Sequence, residues 1–333
     1  MARPTMRDVA GTAGVSVKTV SRVVNGERGV RAETAARVDA AIGRLGFTRN
    51  DLASSLRRGR AGALGLVIED VANPFYSAIA RAVEDAARAH GHILITGSCE
   101  EDPARERQLA LRLLQRLVDA LLIVPAGAEH RYLLPELAAG VPIVFLDRPP
   151  GDVEADTVLL DNLGGTRAGV EHLLRQGHER IAFVGDSPDL YTAAERLAGY
   201  HAALADAGAA PRDELVRTGS HDAPHAEQAV RALLELPPDR RPTALFTSNN
   251  RNTVGALRAL RDAERPVAIV GFDDFELADM LATPVTVVRH APEEMGRIAA
   301  ELAYARLADG GRPPQRRTIG LELVIRGSGE VAP

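Results

Sequence analysis

From residue 61 onward, short apolar runs alternate with longer amphipathic, alanine-rich stretches, and that alternation leaves few folds open. The runs fall at 64–68, 93–96, 120–124, 143–146, 181–184, 244–246 and 267–270. Between most of them lie stretches such as 76–90, 105–118, 164–176 and 193–208, with apolar residues at helical spacing. An uninterrupted apolar run makes a strand covered on both faces, so the pattern predicts parallel sheets with helices on each side. A chain of 333 residues, 45% hydrophobic and 26% charged, has material for two such sheets, hence two lobes with a cleft between them.

The first sixty residues read differently. They hold 12 Lys and Arg against 5 Asp and Glu, whereas the remainder holds 28 against 40. A basic head on an acidic body is suited to a polyanionic partner, although a solvated basic face would have the same composition. Thr5-Met6-Arg7-Asp8 has the form of a capping box, which starts a helix running to about residue 13. Gly14 then supplies a turn, and Ser16 is a good N-cap for a second helix, 17 to about 25. Asn25-Gly26 ends that helix with residues that tolerate a left-handed backbone. Val9, Ala10, Ala13, Val15, Val20 and Val23 let the two helices pack as a helix-turn-helix. A third helix, 32–45, turns Val38, Ala41, Ile42 and Leu45 to one face and stops at Gly46. A small helical bundle with no DNA role is the competing reading.

The stretch Met6-Arg7-Asp8-Val9-Ala10, Gly14-Val15-Ser16, Thr19-Val20-Ser21-Arg22-Val23-Val24-Asn25 resembles the DNA-binding headpiece of the lactose-repressor (LacI/GalR) family. The resemblance implies that the second helix enters the major groove, with Val17, Lys18 and Arg22 reaching base edges. Lys18 and Arg22 can donate to guanine, and Val17 can touch a thymine methyl. Thr5, Ser16, Thr19, Ser21 and Asn25 are placed for phosphates, which position a domain without specifying sequence. Alone, residues 50–60 are a basic, weakly helical linker; the resemblance makes them a hinge helix, with Asn50, Leu52, Ala53 and Leu56 at the DNA. Leu56 matches the side chain that wedges into the minor groove at the operator centre and bends the duplex.

The resemblance extends to residue 327, through Asn73-Pro74-Phe75-Tyr76, Asp147-Arg148-Pro149, Asp161-Asn162, Glu195-Arg196-Leu197-Ala198-Gly199-Tyr200 and Gly271-Phe272-Asp273-Asp274. It implies a periplasmic-binding-protein-like core of two Rossmann-like lobes, with the chain crossing between them near 161, 289 and 321. The expected division is a headpiece at 1–47 and a hinge at 48–60. An N-terminal lobe at 61–160 with 290–320 and a C-terminal lobe at 161–289 with 321–333 complete it.

Ligands of open α/β sheets sit outside the carboxyl ends of the strands. Asn73, Phe75 and Tyr76 follow the first strand, Arg148 the fourth, Asn249 the run at 244–246, and Asp273-Asp274 the run at 267–270. Planar polar groups suit vicinal hydroxyls and aromatic faces suit a sugar ring, so a sugar or nucleoside-like effector is expected. The resemblance adds Thr192 and Arg196, the latter as a clamp, and faces His221 to the cleft where relatives carry an aromatic residue. Strand-end Asp and Asn often only cap helices, a reading that competes for Asp161 and Asp273; ligand contact is favoured for Arg196 and Asp274. Two departures matter. Asn249-Asn250-Arg251-Asn252 stands where many members carry Asn-Asp, which weakens transfer of any particular sugar. Leu190 replaces an arginine of the purine-binding members, which argues against a purine. His221, Asp222 and His225 fit no strong metal motif.

No Gly-rich phosphate loop, nucleophile elbow, CxxC or HExxH occurs, so neither an enzyme nor a cofactor is expected. Cys99, the only cysteine, reads as a small buried residue in a reducing compartment. The absence of a long apolar run or a leader-like N-terminus predicts a cytoplasmic protein with no membrane partner. One short recognition helix reads few base pairs, so a homodimer on a pseudo-palindromic operator is expected. No leucine heptads follow the core, which weighs against a coiled-coil tetramer. A solute-binding transport component would explain the body but not the basic head. A carbohydrate-processing enzyme would require a catalytic constellation.

Overall fold

The computed structural model describes residues 4–25, 27, 29–47, 62–115, 118–263 and 265–333. Its contacts divide the chain into a unit ending at Ala61 and a larger one from Gly62. The hinge segment, with Asn50, Leu52, Ala53 and Leu56, lies outside the described residues.

The N-terminal unit contains α1 (Met6–Ala13), α2 (Val17–Val24) and α3 (Ala32–Leu45). Thr5 and Asp8 form the capping box: the Thr5 N–H donates to Asp8 Oδ2 at 2.8 Å, and Thr5 Oγ1 accepts from the Asp8 N–H at 3.4 Å. Gly14 ends α1 at φ +62, and Ser16 caps α2 by accepting the Thr19 N–H at 3.1 Å. Val9, Ala10, Ala13, Val20, Val38, Ala41 and Phe47 form the core, with Val15, Val23, Ile42 and Leu45 packed around it. Asn25 ends α2 in the right-handed region (φ −89, ψ 0), and Gly26, the other half of the expected stop, lies outside the described residues. The Arg37 guanidinium, reaching back from α3, donates to the carbonyls of Ala13 and Gly14 at 2.6 and 3.1 Å. It thus covers acceptors left open at the end of α1.

The larger unit holds the two expected sheets. The first has the order β11-β5-β4-β3-β1-β2: β1 (Ala63–Ile68), β2 (Ile93–Ser98), β3 (Ala120–Ile123), β4 (Ile143–Leu146), β5 (Asp156–Leu160) and β11 (Arg316–Ile319). All its pairings are parallel. The second has the order β12-β10-β9-β8-β6-β7: β6 (Ile181–Val184), β7 (Val216–Arg217), β8 (Ala244–Thr247), β9 (Ala268–Phe272), β10 (Thr286–Arg289) and β12 (Glu322–Val324). Only β12 departs from a purely parallel arrangement, pairing antiparallel to β10. It follows β11 after a two-residue step and enters the second sheet as a short edge, where an antiparallel strand is commonly tolerated.

Helices α4 (Pro74–Ala89), α5 (Pro103–Gln115), α6 (Leu134–Ala138) and α11 (Pro292–Ala308) serve the first sheet; α7 (Asn162–Arg175), α8 (Tyr191–Asp206), α9 (Ala223–Leu234) and α10 (Asn250–Leu260) serve the second. Along β1, Leu64, Leu66 and Ile68 face Ile79, Val83 and Met295, while Ala63 and Val67 face the cluster containing Ala110, Leu113 and Leu114. Both faces of the strand are therefore apolar, and each such side chain contributes about 1.5–3 kcal/mol by leaving water. The edge strands β2, β7, β11 and β12 are less covered: in β2, Ile93 is 65% exposed. Paired helices approach closely through glycine. A Cβ on Gly296 would lie 2.6 Å from the Ile79 carbonyl oxygen of α4, and one on Gly199 would crowd the Leu163 carbonyl of α7.

The chain passes between sheets after β5, after β10, and between β11 and β12. The strand carboxyl ends of both lobes thereby bring loops to a common cleft.

Candidate functional site: a recognition helix and an interlobe cleft

On α2, Val20 is fully buried and Val23 and Val24 pack around the small core. The opposite side offers Val17, which is 42% exposed, with Lys18 exposed and Ser21 and Arg22 half-buried. Arg22 pairs with Glu27 at 3.4 Å, and Asn25 donates to Ser21 Oγ at 3.3 Å. Thr5, Ser16 and Thr19 already serve the helix starts, and each hydroxyl keeps further hydrogen-bonding capacity. One eight-residue helix thus carries an apolar side inward and a polar and cationic side outward.

The cleft takes its walls from both lobes. The first lobe supplies Glu69 after β1, Asn73, Phe75 and Tyr76 at the start of α4, Glu101 after β2, and Asp147-Arg148 after β4. The second supplies Asp186 after β6, Thr192 and Arg196 on α8, His221 before α9, Asn249, Asn250 and Arg251 at the start of α10, and Asp273 after β9. Of the ligand contacts expected from sequence, Asn73, Phe75, Tyr76, Arg148, Thr192, Arg196, His221 and Asn249 all line this cavity. Asp274 does not: Arg326 holds both its oxygens at 2.8 and 2.6 Å, and it lines a neighbouring depression instead. Asp273, set against a capping role, is the residue in the cleft. It accepts from His290 Nε2 at 2.8 Å and from the Asn250 N–H at 3.3 Å. Asp161 does cap, accepting the Gly164 N–H at 3.0 Å.

The buried guanidiniums are fixed from behind. Arg196 donates from Nε to Asn162 Oδ1 at 2.8 Å and from Nη1 to the Ser248 carbonyl, and its Cζ lies 3.8 Å above the Phe272 ring centre. Arg148 donates to the Pro125 carbonyl at 2.9 Å and to Glu101 at 2.8 Å, with Glu69 at 3.7 Å. Two connections cross the cleft: Asn250 Nδ2 to Asn73 Oδ1 at 3.0 Å, and Arg251 to Glu69 at 3.2 Å and to Asp70. Phe75 and Tyr76 meet edge to face at 4.8 Å between ring centres.

Carboxylate crowding shapes the electrostatics. Burial, and then the charge of Glu101, push Glu69 up to about 7 against the pull of Arg148 and Arg251. Burial and Glu101 likewise push Asp186 up to about 6. Asp273 is as deeply buried, yet Arg196 and His290 overcome that burial and hold it below the usual range.

Sequence reasoning passed over Glu69, Glu101, Asp147, Asp186, Asn250 and Arg251 as contacts. Glu69, Asp147 and Asp186 stand within two residues of a strand's carboxyl end, which was the available signal. Among the described residues, no group of His, Cys, Asp and Glu side chains is placed to hold a metal ion, and no helix is long and apolar enough to cross a membrane.

Comparison with known proteins gives this arrangement its lineage. The ribose operon repressor of Escherichia coli K12 is 34% identical over 330 residues, covering 97% of this chain and 99% of its own length. The chain belongs to the lacI family of bacterial regulatory proteins. The family's own sequence pattern matches residues 5–50, and a periplasmic binding protein-like domain matches 170–329. The regulator CelR of Thermobifida fusca is also 34% identical, over 98% of both chains. Among solved structures, the lac repressor dimer bound to operator and the anti-inducer ONPF superposes with a TM-score of 0.86 at 27% identity, covering 98% of this chain and 99% of that one. The CelR–cellobiose complex superposes at 0.72 with 32% identity, over 98% of this chain and all of the other. This lacI-family member is therefore a DNA-binding transcriptional regulator, with the helix-turn-helix and two-sheet core expected from its sequence.

Proposed function

We propose that this regulator is a cytoplasmic repressor, acting by binding rather than catalysis, that grips a pseudo-palindromic operator as a homodimer. A small polyhydroxylated effector, a sugar or nucleoside-like molecule, switches it from the cleft. The observation that carries the reading is the pairing, in one chain, of an outward-facing cationic recognition helix with a polar interlobe cleft clamped by Arg148 and Arg196. Val17, Lys18 and Arg22 take base edges, while Thr5, Ser16, Thr19, Ser21 and Asn25 take phosphates. The segment 48–60 acts as the hinge, with Asn50, Leu52, Ala53 and Leu56 at the operator centre, between the headpiece at 1–47 and two lobes divided at 161, 289 and 321.

Support for the effector class comes from the relatives, a ribose operon repressor and a regulator solved with cellobiose, and from the aromatic and amide groups that line the cleft here. The effector acts by binding one interlobe geometry better than another, and that difference reaches the operator as a change in affinity.

Selection of bound sequences from random duplex DNA tests the reading. The expected product is a two-fold symmetric site, whose affinity at fixed salt changes when one class of sugar is added. Sequence-independent binding that merely fades with salt contradicts it.

A further inference from the structure

Five carboxylates, Glu69, Glu101, Asp147, Asp186 and Asp273, meet three guanidiniums in the cleft. The guanidiniums are already engaged: Arg148 with Glu101, Arg251 with Glu69 and Asp70, and Arg196 with Asn162 and the Ser248 carbonyl. Asp273 has His290. Two carboxylates are left with neither a guanidinium nor an imidazole in hydrogen-bonding contact. Asp186 accepts from the neutral amide of Asn249 at 2.5 Å, with His221 at 3.8 Å. Asp147 is 97% buried, its Oδ1 has no hydrogen-bond partner, and its Oδ2 is 3.8 Å from Arg148 Nε. The backbone holds Asp147 at φ +64, and such outliers persist where the surrounding structure enforces them at functional sites.

On the reading that this cleft is the effector site, we propose that the effector is an amino sugar or a similar polyhydroxylated amine, whose ammonium group sits against Asp147. A neutral hydroxyl could donate to the orphaned oxygen, but it would leave the excess negative charge of a drying cleft in place. An ammonium supplies both the donor and the charge. Among the described residues the carboxylates are dispersed along the walls rather than gathered for a metal ion.

Matched sets test this by titration calorimetry on the full chain at neutral pH: glucose, glucosamine and N-acetylglucosamine, with the galactose and mannose equivalents. In the set that binds, the free amine is expected to bind roughly tenfold or more tighter than both neutral members, the value of one charged hydrogen bond. Asp147→Asn keeps the shape and tolerates the left-handed backbone, so it is expected to erase that preference. Equal or tighter binding of a neutral member overturns the proposal on the wild-type chain alone, whatever the variant's folding. A preference that survives in a folded Asp147→Asn overturns the seat. A neutral sugar that binds and shifts operator affinity refutes the amine while keeping the effector reading. An amine that binds without changing operator affinity refutes that reading while keeping the amine site.

Discussion

The headpiece and the cleft solve recognition in opposite ways. The headpiece gathers its outward residues on one helix of eight residues, which rests on a compact apolar core and is capped by a bond spanning three positions. The cleft collects its groups from strand ends and helix starts between Glu69 and Asp273, and it buries or half-buries all of them but His221. A contiguous exposed surface is robust, because each side chain can change without disturbing the fold beneath it. A buried polar cleft is a network in which each charge depends on its neighbours.

The comparison predicts its largest effect at the headpiece. Replacing Arg22 with Ala removes a half-exposed guanidinium, the group proposed to read a base, twice in a dimer. At about 1–3 kcal/mol for each guanine contact, operator affinity is expected to fall on the order of a hundredfold or more. Melting of the core should stay unchanged. Anisotropy titration at fixed salt and calorimetry of the same sample check both. A fall in core stability would break the claim that the headpiece surface is energetically separate.

A smaller contrast separates two adjacent carboxylates. Asp273→Asn removes a charge facing Arg196 and His290 inside the cleft and is expected to weaken effector binding about tenfold, the scale of one charged hydrogen bond. Asp274→Asn instead loosens the pair with Arg326 and is expected to cost about 1 kcal/mol of core stability with effector affinity retained. Effector titrations of the two variants with matched melting curves distinguish them; equal effects on binding would contradict the positions described.

The smallest effect is on pH. In the folded cleft Glu69 rises from the usual 4.5 to about 7, and Asp186 from 3.8 to about 6. The folded chain therefore holds more protons than the unfolded one in that interval, and stability from this source is lost as pH rises through it. The melting temperature of the core should decline between about pH 5 and pH 7, and Glu69→Gln should flatten that slope. A slope unchanged in the variant would assign the pH response to other groups.

What the sequence disclosed follows the same division. Thr5 with Asp8, Gly14 and Ser16 were legible because a cap or a tight turn is a local device. Arg37 was not, since its partners Ala13 and Gly14 are more than twenty residues away. Apolar runs revealed the central strands, whereas β5, beginning with Asp156-Thr157, and β10, ending at Arg289, lacked that signature. In the cleft, strand ends and family resemblance pointed to Arg148, Arg196 and Asn73. They favoured Asp274 over Asp273 for ligand contact, and the structure makes the opposite choice. That choice is made by the backbone: Asp273 sits at φ +69 and lines the cavity, while Asp274 meets Arg326, fifty-two residues on. Arg251 joins Glu69 across 182 positions, a contact that exists only once the lobes are assembled.

The central claim is that occupancy of this cleft governs the grip on DNA. It is tested most directly by titrating the selected operator, at one salt concentration, with the wild-type chain and with Arg196→Lys across a panel of sugars and amino sugars. Lysine keeps the charge but loses the planar fork that holds Asn162 and the Ser248 carbonyl. The account predicts one class of compound that shifts wild-type operator affinity about tenfold or more. In Arg196→Lys the ligand-free affinity should be kept and the shift lost. A shift of equal size in the variant would contradict it, by assigning the switch to another part of the molecule.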